Sequence, residues 1–110
     1  MSSNKFQIHK QETDQDNVLN LSGELDLSVA PQFHLALEPV VKQQEKTLIL
    51  NFKDLKYIDS TGIGIIISVL KIRDELQAPF IVREIPPTIK RLFDLTGVSE
   101  FLYEGKENEA

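Results

Sequence analysis

The amino-acid sequence predicts a single α/β domain: a mixed β-sheet of four to five strands covered by about three helices, in the order β-β-α-β-α-β-α-β. Three observations predict it. The run Thr47-Leu48-Ile49-Leu50-Asn51-Phe52 is nearly unbroken in apolar character and of strand length, as a buried central strand requires. Residues 65–77 contain neither Pro nor Gly, and charges begin only at Lys71, as in a helix that packs on such a strand. Leu19 and Leu21 alternate with Asn20 and Ser22, the period-2 signature of a strand with one buried face.

In chain order, Phe6 and Ile8 alternate with polar residues and predict a short first strand. Residues 11–17 are polar and turn-rich, so they read as a loop leading to a second strand over 18–25. Two adjacent strands joined by a loop form an antiparallel pair. Ser28 is the expected N-cap of the first helix, and Pro31 is tolerated in a first turn whose N–H groups lack partners. Phe33, Leu37, Val40, Val41 and Gln44 keep helical spacing with four apolar members. Pro39 should kink that helix or end it early. The strand over 46–52 lacks alternation, which predicts cover on both of its faces and a helical crossover leading into it. A second helix is expected from Ser60 to about Gln77, then a strand over 79–82. Pro86-Pro87-Thr88 opens a short third helix with Ile89, Leu92 and Phe93 on one face, ended by Gly97. Phe101-Leu102-Tyr103 is a candidate edge strand, and residues 104–110 form a polar tail. The whole chain, 1–110, is thus one domain with order expected over about 5–103.

Composition excludes several classes. The apolar fraction of 41% and charged fraction of 26% are ordinary for a soluble globular domain. Twelve Lys+Arg against 17 Asp+Glu give a formal charge of −5 with no basic cluster, which argues against nucleic acid as a partner. The absence of cysteine removes disulfides and thiolate chemistry and suits the cytoplasm. Met1-Ser2-Ser3-Asn4-Lys5 lacks the apolar core of a signal peptide, and the longest apolar run, 63–70, is interrupted by Gly64 and Ser68. No direct membrane contact is expected. His9 and His34 are isolated and show no metal-binding spacing, so neither a metal nor another cofactor is expected.

The stretch Tyr57-Ile58-Asp59-Ser60-Thr61-Gly62-Ile63-Gly64 joins the central strand to the second helix. Its hydroxyls fall at a helix N-terminus, where free N–H groups and the helix dipole favour negative charge, bound or covalent. Ser60 is an N-cap by residue type, and Asp59 is a capping carboxylate or part of a recognition surface. Gly62 and Gly64 resemble a fragment of a dinucleotide fingerprint, but position 67 is Ile and no phosphate-binding lysine follows. Their simpler role is to let a partner or neighbouring backbone come close. At 100° per residue, Ile65, Val69, Ile72 and Leu76 form the stripe expected on the sheet. Ile63, Ile67 and Leu70 lie on another side, either under a neighbouring helix or partly exposed beside Ser60 as a docking patch. Ser60 has no evident His and Asp partners for a nucleophilic triad, and Asp54, Asp59 and Asp94 are scattered, so no enzymatic activity is expected.

Gly23-Glu24-Leu25-Asp26, Ala30-Pro31, Asp59-Ser60-Thr61-Gly62-Ile63-Gly64 and Arg91-Leu92-Phe93-Asp94-Leu95-Thr96-Gly97 occur in the order and spacing of STAS domains. The chain resembles the single-domain bacterial anti-sigma factor antagonists, particularly those of the general stress response. The resemblance implies that the unphosphorylated protein binds an anti-sigma factor that is also a serine kinase, which frees the sigma factor for transcription. It implies phosphorylation on Ser60, with Thr61 as a minor acceptor, and loss of binding as the result. A metal-dependent serine phosphatase would restore the active form. The implied partner surface is Asp59, Ser60, Thr61, Gly62, Ile63, Gly64 and Ile67, on a protein monomeric when free and bound to no cofactor. The departures are small: Ile63 replaces a common leucine, Pro86-Pro87 stiffens the start of the third helix, and the chain stops soon after Tyr103. A related role, as a STAS regulatory subunit of a membrane lipid or anion transporter, is the alternative.

Overall fold

A four-stranded mixed sheet in the order β1-β2-β3-β4 organises the protein. The computed structural model describes residues 5–98. They form β1 (Gln7–Glu12), β2 (Asp16–Leu25), a 3₁₀ turn (Leu27–Val29), α1 (Ala30–Val41), β3 (Thr47–Ile58), α2 (Ser60–Glu75), β4 (Phe80–Arg83) and α3 (Pro87–Thr96). This is the predicted order through the third helix; the candidate strand over 101–103 and the tail lie outside the described residues. β1 and β2 are antiparallel, whereas β2–β3 and β3–β4 are parallel and joined through α1 and α2.

One face of the sheet carries the core. The pairs Leu19↔Leu50, Leu50↔Val82 and Leu48↔Phe80 align apolar side chains across three strands. Phe33 and Leu37 of α1, Ile66 and Val69 of α2, and Ile89 and Phe93 of α3 join them in one cluster. Phe93 tilts against Phe52 with ring centroids 6.0 Å apart. The other face reads Asn20↔Asn51↔Arg83 and Val18↔Ile49↔Ile81 and is largely half-buried. This corrects the expectation that both faces of β3 are covered. Ile49 is only 3% exposed yet lies outside the main cluster, flanked across the sheet by Val18 and Ile81. A central strand can shield an outward apolar side chain with its neighbours alone, which erases the alternation without a second layer.

Several boundaries move for identifiable reasons. The β1–β2 connection is only residues 13–15, not 11–17: Thr13 Oγ1 accepts from the amides of Gln15 (3.2 Å) and Asp16 (2.9 Å). β1 is an edge strand exposed along most of its length, so polar residues fill both of its faces. Ser28 is not the cap of α1 but sits inside the preceding 3₁₀ turn, which Asp26 caps by accepting from Ser28 N at 3.0 Å. Pro39 is accommodated within α1, which ends at Val41. In α3, Ile89 and Phe93 are buried but Leu92 is exposed; Gly97, at φ 82°, closes the helix as expected.

β3 runs six residues past Phe52, through the segment expected to be a loop. Two register shifts against β2, between Asn20 and Ser22 and between Gly23 and Glu24, each add one residue to β3. Each bulge stretches the inward spacing from two residues to three. Phe52, Leu55 and Ile58 therefore all point into the core. A three-residue period matches no strand template, which hid the extension.

α2 buries Gly62, Ile63, Ile65, Ile66, Val69 and Arg73. Ile65 and Val69 face inward as predicted, but Ile72 and Leu76 are only half-buried, and Ile66 takes a central place instead. The stripe turns because Arg73, 1% exposed, holds its lower end. Its Nη1 donates to the carbonyls of Val41 (3.0 Å) and Gln43 (3.1 Å), and its Nη2 to those of Lys46 (2.6 Å) and Pro79 (2.8 Å). One guanidinium thus ties the end of α1, the turn into β3 and the turn into β4 to α2. Burial lowers its pKa below the ordinary arginine value by desolvating the charge.

Candidate functional site

The upper end of β3 delivers Asp59 and Ser60 to the start of α2. Leu25↔Ile58 is the last pair of the β2–β3 ladder, and Asp59 N donates to Leu25 O at 3.2 Å. Extended backbone at Asp59 (φ −106°, ψ −174°) makes it the N-cap, with Ser60, Thr61 and Gly62 as the first three helical residues. Its Oδ1 accepts from Gly62 N at 3.0 Å, and its carbonyl accepts from Ile63 N at 3.0 Å. Its Oδ2 crosses to the 3₁₀ turn and accepts from Leu27 N at 3.2 Å. One carboxylate therefore fixes both the helix start and the loop that follows β2.

Of the two caps that the sequence offers, Ser60 and Asp59, the structure uses Asp59. All three residues of Asp59-Ser60-Thr61 are competent caps by type, and only the strand end decides which one is used. With Asp59 in that role, Ser60 is exposed at the first helical position and is not the capping residue. Thr61 is half-buried beside it.

The two glycines differ. Gly62 is buried, and an added Cβ would lie 2.7 Å from Ile58 Cγ1, 2.9 Å from Leu25 Cγ and 3.0 Å from Leu25 O. Its missing side chain lets α2 close onto β2 and β3, so the close approach it permits is internal. Gly64 is exposed, and its added Cβ would meet nothing within 4 Å. With Gly62 N already engaged by Asp59, the fragmentary glycine fingerprint does not offer that amide to a phosphate.

Of the apolar residues expected beside Ser60, Ile63 is 8% exposed and belongs to the core, whereas Ile67 and Leu70 are half-buried. Ile67 and Leu70 border an open groove of about 420 Å³ with Lys71, Asp74, Thr96, Gly97 and Val98. Of the residues expected as a docking patch, Ile63 is therefore buried, while Ile67 and Leu70 keep part of their surface in solvent. Leu27, 69% exposed and tied to Asp59 through its amide, and Tyr57, 49% exposed near the end of β3, are exposed apolar residues to which sequence reasoning gave no role. Leu27 follows an acidic residue in a loop, a place where a large aliphatic side chain has no core to fill; that was the available signal. His9 and His34 are exposed, and no group of three or more His, Asp or Glu among the described residues is placed to hold a metal. No helix among them is long and apolar enough to cross a membrane.

This geometry has counterparts. The chain is 28% identical over 93 residues to the anti-sigma-B factor antagonist of Staphylococcus aureus, covering 83% of this chain and 86% of that one. Its fold matches the anti-sigma factor antagonist SpoIIAA in unphosphorylated form, with a TM-score of 0.73, 25% identity, and coverage of 93% and 89% of the two chains. It matches the phosphorylated form of the Bacillus cell fate determinant SpoIIAA with a TM-score of 0.69, again at 25% identity, over 93% and 92%. The family model described as STAS domain spans residues 7–110, so a mixed sheet that ends in a capped Asp-Ser-Thr-Gly helix start is here the framework of a member of the STAS domain family.

Proposed function

We propose that this protein is an anti-sigma factor antagonist controlled by phosphorylation of Ser60. The observation that carries the reading is the exposed Ser60 at the first position of α2, where Asp59 supplies the cap. The names of its relatives, and the existence of a phosphorylated SpoIIAA of the same fold, support it. The unphosphorylated surface around Ser60, Thr61, Gly64 and Ile67 binds an anti-sigma factor that is also a serine kinase, and the sigma factor is released. The kinase transfers a phosphoryl group from ATP. Ser60 Oγ forms the new bond to the γ-phosphorus, the bond to the β–γ bridging oxygen breaks, ADP leaves, and the hydroxyl proton passes to a base of the kinase. A serine phosphatase reverses the modification. The protein is in this scheme a substrate and a binding partner, acts in the cytoplasm and is monomeric when free.

The added phosphate carries about −1.5 to −2 charge, which a helix N-terminus accommodates, so the domain stays folded. In a complex the same charge must be desolvated beside Asp59, and a loss of about 3 kcal/mol there weakens binding more than a hundredfold. The test is intact-mass measurement after incubation with ATP and the candidate serine kinases of the same genome. A gain of one phosphate in the wild type and none in Ser60→Ala is expected. Ser60→Ala should bind the kinase and resist ATP, and Ser60→Asp should fold but bind poorly. Equal kinase affinity for phosphorylated and unmodified protein, or a phosphate mapped away from Ser60 and Thr61, would sink the mechanism.

A further inference from the structure

The carboxylate of Asp59 is shared between two unequal hydrogen bonds. One, to Gly62 N at 3.0 Å, is local and partly buried. The other, to Leu27 N at 3.2 Å, is exposed and joins segments 32 residues apart. We propose that a phosphate on Ser60 is relayed through Asp59 to the Leu27 turn, opening the exposed bond while the cap on Gly62 holds. This deepens the reading that Ser60 is the phosphorylated residue and rests on it.

The physical argument is one of asymmetry. A phosphate on the next residue places about two negative charges beside the carboxylate and seeks the same N–H donors at the helix start. The repulsion acts on both bonds of Asp59, but the consequences of breaking them differ. An exposed Leu27 amide exchanges its partner for water with little penalty. A partly buried Gly62 amide would be left an orphan donor in the first helical turn. The bond to Leu27 therefore yields first. Movement stays confined to the 3₁₀ turn, because Asp59 N remains tied to Leu25 O at the end of the ladder. Leu27 presents an aliphatic side chain to solvent, and its amide is bonded to the residue that precedes the acceptor, so releasing its backbone reshapes a surface tied to the start of α2.

The test uses ¹⁵N-labelled full-length protein with phosphoserine encoded directly at position 60, so that no kinase is required. Amide exchange with water at Leu27 should rise about tenfold or more relative to unmodified protein, and that at Gly62 should change less than about twofold. The comparison is repeated in Asp59→Asn, which retains a capping side chain but carries no charge to repel. There, phosphoserine should leave Leu27 exchange within about twofold of the unmodified variant. An unchanged Leu27 in the Asp59 protein, a parallel rise at Gly62, or an equal rise in Asp59→Asn overturns the relay. A kinase assay that leaves Ser60 unmodified would instead defeat the functional reading, while this measurement of the link stands apart.

Discussion

Replacing Gly62 and Gly64 separately by alanine should move stability in opposite directions, although the two stand in the same helix. At Gly64 the new Cβ meets nothing within 4 Å, so only backbone effects remain. Alanine in a helix interior is favoured over glycine by about 0.5–1 kcal/mol, and Gly64→Ala should be stabilised by about that amount. At Gly62 the Cβ would lie 2.7 Å from Ile58 Cγ1, 2.9 Å from Leu25 Cγ and 3.0 Å from Leu25 O, all short of ordinary contact at 3.4–4 Å. Relief requires α2 to back away from two strands, or the hydrogen bond between Leu25 O and Asp59 N to distort. Overpacking of this kind costs about 1–3 kcal/mol, more than the propensity gain, so Gly62→Ala should lose about 1 kcal/mol or more. The two variants should differ by about 2 kcal/mol. With a urea m-value of about 1.5 kcal/mol/M, their unfolding midpoints should be about 1.3 M apart. Coincident midpoints, or a higher midpoint for Gly62→Ala, would refute the assignment of Gly62 to internal packing.

Three further outcomes follow from the geometry. Arg73→Met leaves four carbonyls without their guanidinium and should cost about 3–5 kcal/mol by urea titration, with Arg73→Lys rescuing only part of it because an ammonium cannot span the same fork. Asp59→Ala removes the cap and the Leu27 tie and should cost about 1–2 kcal/mol, read as a fall in Tm of roughly 4–8 °C per kcal/mol. The Glu12 carboxyl is held below its usual value of 4.5 by its hydrogen bond and charge pairing with Lys46 at 2.7 Å. Its folded-state pKa is depressed, so its contribution is fully present above the unfolded value and lost as pH falls through the folded pKa; Glu12→Gln should flatten this acid limb, and added salt should shrink the difference.

Much of this fold was legible because local chemistry and tertiary context agree. The leucine alternation of β2, the unbroken helical run of α2 and the left-handed Gly97 each mean in the structure what they mean in isolation. The failures along β3, at Arg73 and at the site share one cause: the deciding partner lies far away in sequence. The inward period of three along β3 exists only against β2, whose ladder defines where the bulges fall. Ile49 is covered by flanking strands, and its sequence neighbours cannot show this. The role of Arg73 has no signal in the sequence because its partners are backbone carbonyls, which carry no residue-type information. At the site, the Asp-Ser-Thr-Gly stretch falls at the start of α2 as its residue types predict, but the division of labour between Asp59 and Ser60 depends on Leu25 and Leu27 from another segment.

The arginine clamp has a consequence for the order of folding. Three of its four acceptors lie 27, 30 and 32 residues away, and they belong to a helix end and a turn that take shape only when α1 and β3 have docked. A guanidinium gives up its water shell at least cost only when these carbonyls are in place, so the clamp is expected to set after the sheet and helices have met. Interactions absent from the transition state act on the escape rate and leave the approach to the native state almost untouched. Arg73 should therefore act as a kinetic lock: Arg73→Met is expected to raise the unfolding rate measured in urea while leaving the folding rate almost unchanged, an effect seated at the end of α2 remote from Ser60.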